Sequence, residues 1–236
     1  MARFFLLLLL LSSFCCKAQR EQKTAVYTSG KASDGGTGRF YCGREIAHVM
    51  GASNASWLDR NNRQQEENSQ HTINKISIPD TGAIADIGAG TGYYTFQLAK
   101  KFPEGKLFAV EIQDAMIRTL EQRAQDQHLD NVTVVKGDTT SPNLPDNSVD
   151  LAMMVDVYHE LSYPLEMMTA IKKALRDNGR LLLVEYKGED PDVAIRPLHK
   201  MTIKQVNKEM ALAGFVLVEK DESLPIQHYL LYKKAK

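Results

Sequence analysis

The sequence predicts an α/β fold in which a mostly parallel, Rossmann-like sheet of about seven strands carries helices on both faces. Three observations predict it. Apolar segments of strand length alternate with segments of helical spacing from Ile84 onward. A glycine-rich turn joins the first of these strands to the first helix. The last two strands are separated by a short connection with proline, which predicts an antiparallel hairpin rather than a crossover.

The first strand and its turn read Ile-Ala-Asp-Ile-Gly-Ala-Gly-Thr-Gly over residues 84–92. β-Branched apolar residues favour a buried strand, and glycine at every second position lets the backbone turn tightly and approach a ligand. Residues 93–102 follow with helical spacing. The spacing differs from the G-x-G-x-x-G of dinucleotide sites, and no Lys-Ser or Lys-Thr follows as in a phosphate-binding P-loop.

The second and third strands each end in an acidic residue. Residues 106–111 end in Glu111, about 20 residues beyond the glycine turn, where such folds place a carboxylate against a ribose. A carboxylate can accept hydrogen bonds from both vicinal hydroxyls, although Glu111 could instead cap the helix that starts near Asp114. Residues 132–138 end in Gly137-Asp138, and the alternative for Asp138 is a simple turn residue.

The fourth strand, residues 149–156, is followed by a polar run that contains Tyr158, His159 and Glu160. Polar residues just past a strand's carboxyl end lie where open α/β sheets bind ligands. For His159 and Glu160, the alternative is a local hydrogen bond with no role in binding.

The remaining elements complete the alternation. Helices are predicted over residues 115–125, 164–176 and 202–213, the second with Pro164 at its start and the third ending at Gly214. Strands are predicted over residues 180–186, 215–219 and 228–232, the last two forming the hairpin.

At this point the chain resembles the class I S-adenosylmethionine-dependent methyltransferases, whose first motif reads D/E-x-G-x-G-x-G, as residues 86–92 do. The resemblance runs from about Ile76 to the C-terminus. It implies S-adenosylmethionine as cofactor and methyl transfer by in-line displacement to a small-molecule acceptor. It also implies that Asp138 or its neighbour contacts the adenine amine and that Asp156 orients the methionyl ammonium. The predicted cofactor-binding residues are Asp86, Gly88, Ala89, Gly90, Thr91, Gly92, Glu111, Ile112, Asp138, Thr139 and Asp156.

The same resemblance places Tyr158, His159 and Glu160 in the acceptor pocket as the catalytic candidates. The sulfonium methyl group is electrophilic, so the protein mainly has to align the acceptor. A hydroxyl, thiol or acidic-carbon acceptor calls for a base, and His159 is the first candidate, before Glu160, Tyr158 and His199. Neither Cys-x-x-Cys nor His-Glu-x-x-His spacing occurs, so no metal site is predicted, and no G-x-S-x-G elbow indicates a serine hydrolase.

Two other functions stay open from the sequence. One is an NAD(P)-dependent oxidoreductase on a related sheet, which the glycine spacing and the terminal hairpin disfavour. The other is a protein that binds S-adenosylmethionine without transferring its methyl group.

The composition allows one sizeable core, since 43% of the residues are hydrophobic. Lys+Arg 29 and Asp+Glu 29 cancel, so no basic field indicates a nucleic-acid partner. The oligomeric state is not predicted.

Residues 1–18 have the form of a secretory signal peptide. A positive start precedes an apolar run from Phe4 to Leu11 that is too short to span a bilayer, and the sequence permits cleavage before Gln19. The sequence therefore predicts export to the periplasm or outside the cell, with no transmembrane span in the mature chain. Lipid anchoring at Cys15 or Cys16 is disfavoured by the bulky Phe14, and a buried N-terminal helix is the alternative.

The region before the first sheet strand is expected to contain a flexible linker over residues 19–38, rich in Gly, Ser and Thr, and a helical cap over residues 39–78. Residues 40–50 look helical. By analogy with small-molecule methyltransferases, this cap is expected to form a lid over the domain at residues 79–236. Its candidate lid residues are Tyr41, Arg44, His48, Trp57 and Arg60. A helix that only packs on the sheet is the alternative.

The loop after the fifth strand, from Glu185 to Met201, carries several polar groups and leaves the sheet at the expected binding edge. His199 and Lys200 either reach the pocket or cap the helix that begins near Thr202, and the pocket role is slightly favoured.

Overall fold

A computed structural model describes residues 26–236 of the chain. The expected signal peptide and residues 19–25 of the expected linker lie outside the described residues. Among residues 26–236, no helix is both long enough and apolar enough to cross a membrane.

The described chain begins with a small antiparallel sheet. Its strands, in spatial order, are β1 (Tyr27–Ser29), β2 (Gly36–Tyr41) and β3 (Arg44–Ala47). The expected helix over residues 40–50 is therefore wrong, and residues 26–38 form strand as well as loop. The physical reason is the turn at Cys42 and Gly43, whose φ angles of 51° and 89° match the two left-handed positions of a tight hairpin and cannot continue a helix.

Helical structure in the expected cap starts only after this sheet. A 3-10 segment covers Ala52–Trp57, and two short helices follow, α1 (Arg63–Glu67) and α2 (Ser69–Lys75). The two helices are separated by Asn68 in the left-handed conformation, which ends α1 after five residues.

The main sheet confirms the predicted fold class. Its eight strands are β4 (Ala83–Ile87), β5 (Lys106–Glu111), β6 (Val132–Lys136), β7 (Val149–Val155), β8 (Leu175–Lys187), β9 (Lys200–Met201), β10 (Phe215–Asp221) and β11 (Gln227–Lys234). Seven lie in the order β10-β11-β8-β7-β4-β5-β6, and β9 pairs with β8. Strands β4 to β9 pair in parallel, whereas β11 is antiparallel to β8 and β10, which confirms the C-terminal hairpin.

Four further helices connect these strands, close to their predicted bounds. They are α3 (Tyr93–Lys101), α4 (Asp114–Asp126), α5 (Pro164–Ala174) and α6 (Ile203–Leu212). Helix α5 ends two residues early because β8 already begins at Leu175, and a register shift opposite Val149 and Leu151 accommodates the extra strand residues.

Both faces of the sheet are buried, which explains the continuous apolar sequence of β8. Leu181 and Leu183 pack into the core beneath α5 and α6, while Leu182 and Val184 pack into the core on the opposite face. Successive side chains of a strand point to opposite faces, so a strand covered on both sides needs apolar residues at every position.

The strand order fixes where a ligand can bind. From β4, the chain passes to β5 on one side, while β7 pairs on the other side of β4. The connections after β4 and β7 thus diverge and leave a crevice at the carboxyl ends of these strands. The glycine turn follows β4 and Asp156 follows β7, so both lie at this crevice.

Candidate functional site

A cavity of about 1040 Å³ occupies this crevice and continues under the N-terminal segments. Of the predicted cofactor-binding residues, seven line it: Gly88, Gly90, Glu111, Ile112, Asp138, Thr139 and Asp156. Asp86, Ala89, Thr91 and Gly92 do not line the cavity and lie behind its wall.

The glycine turn provides both room and curvature. Gly88 and Gly90 have φ angles of +73° and +57°, and a Cβ at Gly88 would lie 2.6 Å from Val157 Cγ2. A Cβ at Gly90 would lie 2.5 Å from Leu58 Cδ1. Gly92 has a different function, because a Cβ there would collide with the Phe96 ring inside α3. It allows helix α3 to pack closely rather than making space for a ligand.

Asp86 stabilises the glycine turn by linking the strand before it to the helix after it. Its Oδ2 accepts a hydrogen bond of 2.6 Å from Thr95 Oγ1, which joins β4 to α3. Burial raises the pKa of this carboxyl to about 6, against the hydrogen bond from Thr95, which lowers it.

Glu111 joins the end of β5 to the glycine turn. Its Oε1 accepts hydrogen bonds from the amides of Ile112 (2.7 Å) and Gln113 (2.9 Å), and its Oε2 accepts one from the Gly90 amide (3.0 Å). An ionised carboxylate has about four acceptor positions, so Glu111 keeps capacity for a further donor in the cavity. The alternative of a capping residue is not what the structure shows, since α4 has Gln113 at its N-cap.

Asp138 is a turn residue at the cavity wall. Its Oδ1 accepts hydrogen bonds from the amides of Thr140 (2.7 Å) and Ser141 (2.9 Å), which is the geometry of an Asx turn. The residue also lines the cavity, so the turn holds the carboxylate at the wall.

Asp156 has the least satisfied side chain at the site. Its φ angle of 55° turns the chain at the end of β7, and its Oδ2 accepts a 2.8 Å hydrogen bond from Gln227 Nε2. Its buried Oδ1 has no hydrogen-bond partner among residues 26–236. Burial, followed by the negative charges of Glu67 and Glu185, raises the pKa of Asp156 well above its usual value. A buried oxygen of this kind requires a donor or a cation.

An ion-pair network that the sequence did not indicate forms the wall next to Asp156. Fully buried Glu67 accepts hydrogen bonds from Arg63 Nε (2.8 Å), Arg60 Nη2 (2.6 Å) and the Tyr186 hydroxyl (3.1 Å). The Arg63 guanidinium also donates to the Leu58 carbonyl (2.8 Å) and lines the cavity. The network fixes α1 against β8 and brings a buried cationic side chain to the site.

The predicted catalytic residues lie on a 3-10 turn (Tyr158–Glu160), on which successive side chains point in different directions. Tyr158 therefore does not enter the pocket. It is fully buried, and its hydroxyl donates to Glu209 Oε2 at 2.8 Å on the α6 side of the sheet. The prediction that Tyr158 lines the acceptor pocket or acts as a base is corrected by this placement.

His159, Glu160 and His199 meet at the cavity wall, and we refer to them as the His–Glu–His cluster. His159 Nε2 lies 3.0 Å from His199 Nδ1 and 3.8 Å from Glu160 Oε1, and His199 Nδ1 lies 3.2 Å from Glu160 Oε1. The pocket position favoured for His199 is thus the observed one. Lys200 instead points its Nζ at the carbonyls of Asp190 and Val193.

Glu185, at the end of β8, contacts His159 at Nδ1, the ring nitrogen that does not face the cluster. Its Oε2 lies 2.6 Å from His159 Nδ1, and its Oε1 accepts the Tyr158 amide at 2.8 Å. Burial lowers the pKa of His159, but the charge of Glu185 and the bonds to Glu160 and Glu185 outweigh it and raise the pKa to about 10. For Glu160, burial is outweighed by hydrogen bonds to His159 and His199, which lower its pKa to about 2.

The N-terminal segment at residues 48–63, here called the cover segment, closes the cavity. Gln113 binds it at two points, from Nε2 to the Met50 carbonyl (3.0 Å) and from the Ala52 amide to Oε1 (2.9 Å). Of the candidate lid residues, His48, Trp57 and Arg60 line the cavity. Tyr41 and Arg44 do not, and Arg44 instead pairs with Glu209 of α6. No local sequence pattern marked Gln113.

Comparisons with known proteins agree with this architecture. A family model described as "Methyltransferase domain" matches residues 80–229. The malonyl-(acyl-carrier protein) O-methyltransferase of Paenibacillus sp. (strain JDR-2) is 30% identical over 105 residues, 44% of this chain and 38% of that protein. The demethylmenaquinone methyltransferase of Chlamydia trachomatis serovar L2 is 27% identical over 129 residues, 55% of each protein. The chain thus spans about half or less of these relatives' lengths.

Among solved structures, the fold is similar to that of a SAM-dependent methyltransferase from Aquifex aeolicus. The TM-score is 0.73 at 24% sequence identity, and the match covers 78% of this chain and 98% of that one. At this level of identity the likeness concerns the fold.

Proposed function

The chain belongs to the methyltransferase-domain family, and we propose that it transfers a methyl group from S-adenosylmethionine to a small-molecule acceptor. One observation carries the proposal. A single cavity joins the glycine turn, Glu111 and the partly unsatisfied Asp156 to the His–Glu–His cluster. Cofactor and acceptor can therefore occupy the same enclosed space, which in-line transfer requires.

The residues on the wall fit the parts of this cofactor. Glu111 has acceptor capacity left for the ribose hydroxyls, and Asp138 with the half-exposed Ile112 offers a polar group and an apolar surface for the adenine. The unsatisfied Oδ1 of Asp156 suits the methionyl ammonium, and the buried Arg63 guanidinium suits the carboxylate of the same amino-acid group. Gly88 and Gly90 leave the backbone open beside them.

S-Adenosylmethionine supplies an electrophilic methyl group, whose bond to sulfur breaks as its bond to the acceptor forms, leaving S-adenosylhomocysteine. The protein has to hold the acceptor in line and remove its proton where it carries one. His159, Glu160 and His199 are among the polar side chains that line the cavity on the side of β7 and β8. The cover segment excludes water from the reacting groups.

Calorimetry with S-adenosylmethionine, S-adenosylhomocysteine and NADH tests the cofactor. Binding of S-adenosylhomocysteine without binding of NADH is the expected result, and the reverse would support the oxidoreductase alternative. A screen with a methyl-labelled cofactor against phenols, carboxylic acids, thiols and amines then identifies the acceptor class. If the cofactor binds and no acceptor in any class is labelled, the better interpretation is that the protein binds S-adenosylmethionine without transferring its methyl group.

We also propose that the chain is exported. The support is the sequence of residues 1–18 alone, with its positive start, apolar run and cleavable end. The mass of the N-terminus of the protein recovered from the producing cells tests this: an N-terminus at Gln19 agrees with export, and a retained Met1 or Ala2 contradicts it.

A further inference from the structure

The atoms of the His–Glu–His cluster are arranged as ligands of a common ion. His159 Nε2, His199 Nδ1 and Glu160 Oε1 lie 3.0, 3.2 and 3.8 Å from one another. Ligand atoms at about 2.0–2.1 Å from a tetrahedral zinc ion are separated by roughly 3.3–3.4 Å, and the three observed distances lie on both sides of this value. We propose that His159, Glu160 and His199 bind a divalent transition-metal ion, with Zn²⁺ favoured by the ligand set, and that the bound ion holds the methyl acceptor.

In the metal-free protein, hydrogen bonds hold this cluster together. Because Glu185 takes the hydrogen bond of His159 Nδ1, the other ring nitrogen of His159, Nε2, is directed at His199 and Glu160. A metal ion that displaces the proton of Nε2 meets three converging lone pairs, those of His159 Nε2, His199 Nδ1 and Glu160 Oε1. A cation at their centre is attracted by all three lone pairs.

The surroundings of the cluster match those of protein metal sites. A histidine ligand usually donates the N–H of its second ring nitrogen to a carboxylate, a backbone carbonyl or water, which fixes the ring, and Glu185 is this acceptor for His159 Nδ1. Glu185 is fully buried and anchored by the Tyr158 amide. Glu160 is fixed as well, since both of its oxygens lie 3.2 Å from the Met50 amide.

The ligand types also restrict the ion. Two imidazoles and one carboxylate suit zinc and neighbouring transition metals, whereas Mg²⁺ and Ca²⁺ prefer a shell of oxygen atoms. No sequence motif contains the set, because the ligands come from two separate segments, the turn after β7 and the 3-10 turn at Pro197–His199.

Three protein ligands leave one position open, as in catalytic rather than structural zinc sites. Here the open side faces the cavity, because all three residues line it. An oxygen or sulfur acceptor bound there would lose its proton at a lower pH, which would favour its attack on a methyl group. This role for the ion rests on the proposed function, whereas metal binding itself does not. The acceptor class that fits is a phenol, an enol or a thiol.

The test uses the full chain, stripped of metal with a chelator, and calorimetric titration with Zn²⁺. We expect one Zn²⁺ per chain, and at least a hundredfold weaker binding in His199→Ala and in Glu160→Gln. His71→Ala is the matched control: His71 also pairs with a carboxylate, Asp221 at 3.1 Å, but lies outside the cavity and should leave Zn²⁺ affinity unchanged. Titration with Mg²⁺ should show no binding at the site.

Two further measurements keep the result interpretable. Thermal unfolding and S-adenosylhomocysteine binding of each variant show whether it is folded, and the visible spectrum of the Co²⁺-loaded unaltered protein reports nitrogen ligation without any substitution. Absence of Zn²⁺ binding, or Zn²⁺ affinity that is equal in all variants, overturns the metal site. Zn²⁺ binding without S-adenosylhomocysteine binding supports the metal site and contradicts the proposed function; the converse result does the opposite.

Discussion

Among single residues, Asp156 has a buried oxygen, Oδ1, that has no hydrogen-bond partner among residues 26–236. Replacing it by Asn keeps its shape and removes the charge that we assign to the cofactor ammonium. A hydrogen bond to a charged group contributes about 1.5–3 kcal/mol, so Asp156→Asn should weaken S-adenosylhomocysteine binding by roughly 10–100-fold. Calorimetry measures this, with the surface substitution Asp146→Asn as control. An unchanged affinity in Asp156→Asn would remove the residue from the cofactor site.

The stability of the folded protein should depend on pH through the buried carboxyl of Asp86. Its pKa rises from an ordinary value near 4 to about 6 on folding, so ionising it costs more in the folded than in the unfolded protein. Stability contributed by the neutral form is complete below pH 4 and is lost as the pH rises to about 6. Asp86→Asn cannot ionise and can still accept from Thr95.

The cofactor-free Asp86→Asn variant should therefore be more stable than the unaltered protein by about 2–3 kcal/mol at pH 8, with little difference at pH 4. Urea unfolding at the two pH values checks this. Equal effects at both pH values would show that packing or hydrogen bonding, rather than charge, governs the change.

Between elements, one buried ion pair connects the N-terminal sheet to the main domain. Arg44 of β3 donates to Glu209 of α6 from Nε (3.0 Å) and Nη2 (3.1 Å), and its Nη1 donates to the His159 carbonyl (3.0 Å). Glu209 is fully buried, so removing one partner leaves a charge without compensation.

Arg44→Met should lower the free energy of unfolding by about 3–5 kcal/mol. The double substitution Arg44→Met with Glu209→Gln should lose less than the sum of the two single changes, because the neutral amide no longer needs a cation. Denaturant unfolding of the four proteins measures the coupling. Additive losses would mean that the pair contributes no interaction of its own.

The 3-10 turn at Tyr158–Glu160 directs three neighbouring polar side chains to different places, which their sequence does not predict. The sequence places three polar residues together after β7, and a pocket role for all three was the simplest interpretation. With about three residues per turn, neighbouring side chains diverge, so Tyr158 enters the core while His159 and Glu160 face the cavity. The turn type, and not the residue types, decides this division.

At the level of the whole molecule, we expect the cover segment to close further when a ligand binds beneath it. Three residues of the main domain hold it: Gln113, Glu160 and Arg123. Of these, Arg123 pairs with Asp59 of the segment at 2.7 Å. A cofactor beneath it adds contacts that only the closed form makes. S-Adenosylhomocysteine should therefore slow amide hydrogen exchange across residues 48–63 and leave the β10–β11 hairpin unchanged.

Gln113→Ala, which removes both bonds to the cover segment, should speed exchange in residues 48–63 and weaken S-adenosylhomocysteine binding. Gln122→Ala on the exposed face of α4 serves as control, since within residues 26–236 its side chain bonds only Asp126 of the same helix. Exchange mass spectrometry of the three proteins tests this. Equal exchange in residues 48–63 with and without ligand would show that the segment does not close over the cofactor.

The main sheet, the glycine turn and the edge that carries Glu111, Asp138 and Asp156 can all be predicted from the amino-acid sequence. Strand and helix periodicity and glycine chemistry act on contiguous residues, and the topological rule for parallel sheets then places the binding edge at the carboxyl ends of the strands. The N-terminal sheet was missed because its hairpin turns on Cys42, a residue type that rarely adopts a left-handed conformation.

The packing of distant segments decides which side chains meet at the end of the cavity that holds the His–Glu–His cluster. Glu185 lies 26 residues from His159 and His199 lies 40 residues from it, and Arg63 comes from a helix that precedes the main sheet. Such contacts arise when β8 aligns with β7 and the loop after it folds back over the strand ends. No periodicity in the chain records that alignment, because it depends on the packing of whole elements.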